Sequence, residues 1–293
     1  ESRGLGDVYK RQLTCIFLHF LKLGCLSFGG PAAHLVFFHR HFVQQLRWLS
    51  DAEYAQLVAL AQLLPGPTSS QVGIAIGYQL QGYRGACAAW LGFTLPSILL
   101  MACFAVLGQQ YFNQLSTMTL HSIQLIVFAV VIWAFWQMLT SFCKTIWQYV
   151  LMLLSTLFLY FIPWSFSQVI VILIAALVGI YFASDSTSKL QDSSSKAKVQ
   201  AKRAYFWLIA FAVPFILFMV WYPSSSLFSQ SLFSFYQAAS LVFGGGHIIL
   251  PLLHQDFVAN HILSAEQFDL GYALAQLMPG PLFSFASYLG ACL

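Results

Sequence analysis

The stretch Ala61-Gln62-Leu63-Leu64-Pro65-Gly66-Pro67 returns as Ala275-Gln276-Leu277-Met278-Pro279-Gly280-Pro281, identical at six of seven positions. Each copy trails a glycine break by nearly the same distance. Phe28-Gly29-Gly30 begins 37 residues before Pro65, and Phe243-Gly244-Gly245 begins 36 before Pro279. Proline removes a backbone donor and glycine releases the backbone, so both are costly inside a helix. In lipid, such breaks persist only where protein or a polar cavity satisfies the freed groups. Duplicated breaks in apolar segments are the sequence mark of a secondary transporter's substrate site. The bland alternative is that they are hinges or packing kinks.

The segments around these breaks are apolar enough for that logic to apply. Of 293 residues, 59% are hydrophobic and 8% charged, against roughly 25% charged in a soluble domain. Such a chain cannot cover a soluble surface, and the expected partner is a lipid bilayer. The net charge of +4 is small, and its distribution says more. Lys189, Lys196, Lys198, Lys202 and Arg203 share one stretch, which reads as a cytoplasmic loop rather than a nucleic-acid patch. The six cysteines have no CxxC spacing and read as small buried hydrophobes. His34, His39 and His41 read as a loop group without the carboxylate or cysteine that would complete a metal site. No metal or cofactor is expected.

A spanning helix needs roughly 20 apolar residues. Candidates are 13–30, 86–108, 118–142, 145–162, 166–183, 204–222 and 232–250, with broken segments at 52–83 and 265–293 carrying the Pro-Gly-Pro turns. The fold class is therefore an all-α polytopic membrane protein of two homologous halves with broken helices. Residues 1–12 are polar, unlike the apolar segments that begin at Leu13. They read as an added or read-through segment, a natural polar N-terminus being the alternative. Residues 13–183 form the first repeat, 184–203 a Ser- and Lys-rich cytoplasmic linker, and 204–293 the start of a second repeat. The second repeat lacks the helices that come after the first Pro-Gly-Pro turn, so a C-terminal truncation is expected. If 52–83 is a re-entrant hairpin the halves run parallel; if it crosses once they are inverted.

The runs Lys22-Leu23-Gly24, Ser27-Phe28-Gly29-Gly30-Pro31 and Ala33-His34-Leu35 resemble the opening of the chromate ion transporter family. So do 61–73, from Ala61 to Gly73, and Trp90-Leu91-Gly92-Phe93-Thr94-Leu95-Pro96-Ser97. The second half is similar through Val242-Phe243-Gly244-Gly245-Gly246-His247 and Pro279-Gly280-Pro281-Leu282-Phe283. The resemblance implies chromate export and chromate resistance at a bacterial inner membrane, with sulfate as a related oxyanion. It also implies oppositely oriented halves, which favours the inverted option.

Chromate and sulfate are tetrahedral dianions, and a helix N-terminus offers free N–H groups and a positive dipole end. The anion is expected at the half-helix starts after Pro67 and Pro281, prolines that suit a first helical position. Thr68, Ser69, Ser70 and Gln71 would donate at the first start, and Ser284 with backbone N–H groups at the second. Gly29, Gly30, Gly244 and Gly245 would permit close backbone approach. Pro65, Gly66, Pro279 and Gly280, with the motif glutamines Gln62 and Gln276, complete the candidate set.

Lys22, inside the first apolar segment, reads either as a countercharge or as a lysine snorkelling to the interface. Arg84 is either part of a charge relay or an orientation anchor. Arg40 and Arg47 would draw anions to a loop mouth. His34 and His247 are candidate proton carriers, with a packed helix-end histidine as the alternative. Asp51, Glu53, Asp256, Glu266 and Asp269 lie in or beside loops, and Ser50 and Ser264 are expected N-caps. No HExxH, no GxSxG and no cluster of intramembrane carboxylates supports a membrane-embedded lipid-modifying enzyme. A non-transporting structural subunit and a homo-oligomer remain as open alternatives.

Overall fold

The computed structural model describes residues 13–111, part of 118–143, 145–162, 167–182, 201–220, 227–242 and 249–293. Every regular element among them is a helix, so the all-α expectation holds. The described residues group into two units, one built from 13–131 and 211–293, the other from 132–210. Residues 184–200, and with them most of the basic linker, lie outside the described residues, as do Gly244, Gly245 and His247.

In the first unit, α1 (Leu13–Leu26) stops at the first glycine break. Helix α2 (Gly30–Phe38) comes next and runs directly into a π-helical turn, His39–Gln45. Then come α3 (Asp51–Leu63) and the long α4 (Thr68–Tyr111). The second unit contains α5 (Ile146–Phe161) and α6 (Ser167–Phe182). After α7 (Ala201–Val220), which carries Pro214, comes α8 (Leu227–Leu241). Next is α9 (Ile249–His254) with a π-helical turn, Gln255–Ala259. Helix α10 (Ala265–Leu277), a 3-10 turn (Leu282–Ser284) and α11 (Phe285–Cys292) close the chain.

Helix α4 is not one rod. Its backbone leaves the helical region at Gln81 and Gly82, and the two arms fold back on each other. A Cβ on Gly77 would collide with the Gly85 carbonyl, and one on Gly85 with the Gly77 carbonyl. Among the described residues, Thr68–Gly108 is the stretch long and apolar enough to cross a bilayer. The reversal leaves its second arm, after Gly82, as the part that is continuous. That arm packs against α1 almost backbone to backbone. A Cβ on Gly24 would stand 2.5 Å from the Phe93 carbonyl oxygen, and one on Gly92 2.6 Å from that of Phe17. Small residues at a helix crossing allow this approach, and in lipid it replaces the missing hydrophobic drive.

The same arm joins two cores. Ala89 and Phe93 enter the first with Phe20, Phe38 and Phe42; Met101 and Ala105 enter the second with Phe257, Phe268, Tyr272 and Phe285. Between these apolar positions lie Thr94, Ser97 and Pro96. Proline has no N–H to offer the preceding turn, so the hydroxyl groups sit where the helix ladder is already interrupted.

The duplication reaches the backbone in detail. Helices α3 and α10 both open on a capping box, Ser50 with Glu53 and Ser264 with Gln267. The residue at the matching place before each box is left-handed without being glycine: Arg47 at φ +50° and His261 at φ +57°. The Phe42 carbonyl accepts from Trp48 and Leu49, and the Phe257 carbonyl from Ile262 and Leu263. The expected N-caps at Ser50 and Ser264 are thus present.

Several expectations need correction. The apolar segments 13–30 and 232–250 are not single helices as expected: α1 ends at Leu26, just before the left-handed Gly29 and Gly30, and α8 ends at Leu241. His34, His39 and His41 lie on α2 and its π-helical turn, not in a loop. Arg40 shares that turn, while Arg47 lies just beyond it. Asp256 and Asp269 likewise lie on helical elements. Of the cysteines, Cys15 is buried, Cys25, Cys87 and Cys103 are exposed, and Cys143 and Cys292 are intermediate. Apolar side chains that face outward are what a lipid environment permits, and α5, mostly apolar, has no fully buried residue.

Candidate functional site

Two backbone hydrogen bonds draw the paired motifs together. The Gly66 N–H donates to the Val242 carbonyl at 2.7 Å, and the Gly280 N–H donates to the Ser27 carbonyl at 2.9 Å. Ser27 and Val242 are corresponding residues, each directly before its Phe-Gly-Gly break. Each Pro-Gly-Pro turn is therefore tied to a residue within two positions of the other repeat's glycine pair. The exchange is reciprocal, so the two ties form a pseudo-twofold pair.

Both donors are glycines for a reason that the geometry supplies. Gly66 has φ +123° and Gly280 φ +98°, which side chains strongly disfavour. Space is short as well. A Cβ on Gly280 would lie 2.7 Å from Ser97 Oγ and 3.1 Å from Ser97 Cβ, while one on Gly66 would lie 2.7 Å from Gln71 Nε2.

At the Ser27 tie, His34 is 1% exposed and Ser27 fully buried. The His34 Nε2 lies 3.2 Å from the Ser27 carbonyl oxygen. That oxygen has no hydrogen to give, so Nε2 carries the proton and donates, leaving Nδ1 as an acceptor. The Ser27 carbonyl thus receives two donors, Gly280 and His34. The His34 ring also packs edge-on against Phe93 at 5.3 Å, one residue from Thr94. Ser97 donates to the Thr94 carbonyl at 3.0 Å. Ser287 donates to the Ser284 carbonyl at 2.6 Å and reaches the Ile98 carbonyl at 3.3 Å.

At the Val242 tie, α4 begins at Thr68, and the Pro67 carbonyl accepts from Gln71 N–H at 3.0 Å. Pro67 is thus the N-cap rather than the first helical residue. Pro281 is likewise an extended cap, at φ −69° and ψ 135°, before the 3-10 turn. Both prolines stand one position earlier than expected. The first turn of α4 leaves N–H groups of Thr68, Ser69 and Ser70 without intrahelical acceptors. All three side chains are buried. Gln71 Nε2 donates to the Pro65 carbonyl at 2.6 Å.

Buried polar atoms without a protein partner among the described residues gather at these two ties. They include Ser27 Oγ, His34 Nδ1 and Thr94 Oγ1 at the first, and Thr68 Oγ1 and Gln71 Oε1 at the second. Such atoms cost about 1–3 kcal/mol each unless something else hydrogen-bonds to them.

The structure does not gather every candidate. Gln62 and Lys22 are exposed, on α3 and α1. Gln276 donates to the Tyr272 hydroxyl at 2.8 Å. Arg84 is exposed and lines a groove of about 650 Å³ with Leu13, Phe17, Tyr83 and Leu91, which shares no residue with either tie. Gly29 and Gly30 have positive φ beside Ser27, and Ser284 is buried at the start of the second half-helix. Sequence reasoning missed Ser27, Thr94, Ser97 and Ser287. The available signal was a Thr and a Ser flanking a proline inside an apolar helix.

A family model described as Chromate transporter matches residues 14–180 and 229–293. The chain is similar to an uncharacterized transporter of Methanocaldococcus jannaschii, 29% identical over 94% of this chain and 68% of the relative. It is similar to a probable chromate transport protein of Synechococcus elongatus, 28% identical over 96% of this chain and 71% of that protein. A chromate transport protein of Cupriavidus metallidurans is 29% identical over 99% of this chain and 71% of its own length. No solved structure matches.

Proposed function

The chain belongs to the chromate transporter family and is a transporter rather than an enzyme, and from that premise we propose that it exports chromate across a bacterial inner membrane, with sulfate as a related substrate. The observation that carries the mechanism is the reciprocal pair of ties. It joins each Pro-Gly-Pro turn to the residue that precedes the other repeat's Phe-Gly-Gly break, beside buried side-chain atoms that lack protein partners among the described residues.

Taking a dianion from water into a low-dielectric site costs on the order of tens of kcal/mol in idealised terms. One helix N-terminus returns roughly 0.3–2 kcal/mol, and each hydrogen bond to a charged group about 1.5–3 kcal/mol. The Thr68–Ser70 turn, Gln71 and Ser284 supply part of this, and retained water or a cation supplies the rest. Lys22 and Arg84, both exposed, serve in this scheme as field-setting charges rather than ligands. Export of a dianion from a cell that is negative inside is favoured by about 4.6 kcal/mol per 100 mV, so it needs no coupling ion.

In this reading the protein is multi-pass with inverted halves, and the exposed apolar side chains of α5, among them Ile146, Leu153, Leu154 and Phe161, suit contact with lipid. The basic linker 184–203 is placed in the cytoplasm, so a cysteine introduced at Ser194 resists impermeant thiol reagents added to intact cells. Labelling from outside would reverse the orientation.

The deciding experiment is chromate and sulfate flux into vesicles holding Gly66→Leu or Gly280→Leu protein, normalised to inserted protein. Both variants are expected to lose flux. Normal flux in both would leave the breaks as packing kinks.

A further inference from the structure

We infer that His34 is a proton-binding residue of the transport site, presenting a proton on Nδ1, together with the hydroxyls of Ser27 and Thr94, to the bound oxyanion. This deepens the oxyanion-transport reading and rests on the junction being where the anion is held.

The two ring nitrogens have different fates. Nε2 is committed to the Ser27 carbonyl, whereas Nδ1 is buried and has no protein partner among the described residues. In that tautomer Nδ1 is an acceptor, and an oxyanion offers it only lone pairs. One proton converts it to a charged donor and makes the same place attractive. Proton and anion therefore favour each other's binding, and the effect is reciprocal. Ser27 Oγ and Thr94 Oγ1 are also buried and without protein partners. Both can donate to an anion whatever the state of the ring.

The second repeat shows that the fold does not require these groups. Its break makes the same backbone tie with Val242 in place of Ser27 and with Ile249 at the position matching His34. Val242 and Ile249 are buried in an apolar core. A histidine kept at only one of two equivalent, equally buried places is not there to build the tie.

Among the described residues no other charged group hydrogen-bonds to His34. The titratable groups on the neighbouring elements are Cys15, His19, Lys22 and Cys25 on α1, His39, Arg40 and His41 on the π-helical turn, and Asp51, Glu53 and Tyr54 on α3. Tyr78, Tyr83, Arg84, Cys87, Cys103 and Tyr111 lie on α4, Glu266, Asp269 and Tyr272 on α10, and Tyr288 and Cys292 on α11. His41 pairs with His19 at 2.9 Å, His39 with Asp51 at 2.7 Å, and Tyr54 donates to the Leu35 carbonyl. The imidazole of His34 bonds to none of them; its polar contact is the Ser27 carbonyl. Positive charge at this place arrives and leaves as a proton.

The test is sulfate binding and flux by the full chain in vesicles, from mildly acid to mildly alkaline pH. Sulfate stays a dianion across that range, so any pH dependence belongs to the protein. Wild type is expected to bind more tightly as pH falls, by up to about tenfold per unit for one linked proton. H34Q keeps a donor for the Ser27 carbonyl but does not titrate, and its profile is expected to be flat. H34I, which installs the residue of the second repeat, serves if H34Q does not accumulate, and is expected to weaken binding as well. An unchanged pH slope in whichever variant is measured overturns the inference. The glycine variants decide separately whether the junction holds the anion, so the two failures are distinguishable.

Discussion

The Ser27 and Val242 ends of the junction have the same backbone and different linings. Each accepts a glycine N–H from the opposite Pro-Gly-Pro turn at nearly equal distance, 2.9 Å and 2.7 Å. Around Ser27 stand His34, Thr94 and Ser97; Val242 and Ile249 join an apolar core that includes Leu282 and Phe285. The half-helix starts differ in the same sense, Thr68-Ser69-Ser70-Gln71 against Leu282-Phe283-Ser284-Phe285. Duplication preserved the backbone hydrogen bonds, with glycine as donor and a carbonyl that any residue can offer as acceptor, and let the surrounding side chains diverge. The first repeat has become the polar wall and the second the apolar one.

The largest expected effect separates the two glycines. Gly280→Ala strains a positive φ and also drives a Cβ against Ser97 and toward the Gly24 carbonyl; Gly66→Ala meets only the end of Gln71. Backbone strain alone is roughly 1–3 kcal/mol, so both variants lose stability, Gly280→Ala more. Thermal retention of monodisperse protein in detergent measures this. Adding Gln71→Ala should partly restore Gly66→Ala, because the obstacle is a flexible side chain. Equal losses in both single variants would break the asymmetry.

Next in size is Gln71→Ala on its own. It removes the donor to the Pro65 carbonyl, leaving a polar group in the turn unpaired at about 1–3 kcal/mol. Sulfate affinity should fall with it, whereas Phe285→Ala at the matching place should reduce stability without that loss of affinity. Competition binding on the two variants distinguishes these outcomes.

A smaller difference is expected between the caps. Glu53 accepts from Ser50 N–H and Oγ at 2.8 Å each, while Gln267 accepts from Ser264 N–H at 3.4 Å. Losing a serine cap costs about 0.5–2 kcal/mol, with Ser50→Ala toward the upper end and Ser264→Ala toward the lower. Comparison of the two melting curves checks the order.

The smallest is Tyr54→Phe, which installs the residue found at the matching position, Phe268. It loses the 2.6 Å hydrogen bond to the Leu35 carbonyl, about 0.5–1.5 kcal/mol, and leaves the apolar packing in place. A melting temperature unchanged by Tyr54→Phe would show that this bond adds nothing the second repeat lacks.

Much of this was legible in residues near one another in sequence. Low charge content implied a chain that buries nearly everything in itself or in lipid. The repeated Ala-Gln-Leu and Pro-Gly-Pro elements located the breaks, because proline and glycine act on the backbone locally and do so in any fold. Ser50 and Ser264 announced the caps for the same reason. Misreadings arose where context overrides local propensity. The histidines of α2 looked like loop residues because they are polar, yet the helix continues through His39 and His41 as a π-helical turn. The candidates Gln62 and Lys22 drew attention through their neighbours in sequence, but a helix points successive residues in different directions, and these two face outward.

By itself, then, the sequence determined the helical class, the duplication, the positions of the breaks and the family. Those rest on composition and on short-range backbone chemistry. Only the tertiary structure decided that each Pro-Gly-Pro turn answers the opposite glycine break, since that bond joins residues some 176 and 253 positions apart. It also decided which hydroxyls are buried beside the ties and that His34 has one nitrogen bound and one without a protein partner. Burial and partnership are properties of packed neighbours, and no local pattern encodes them.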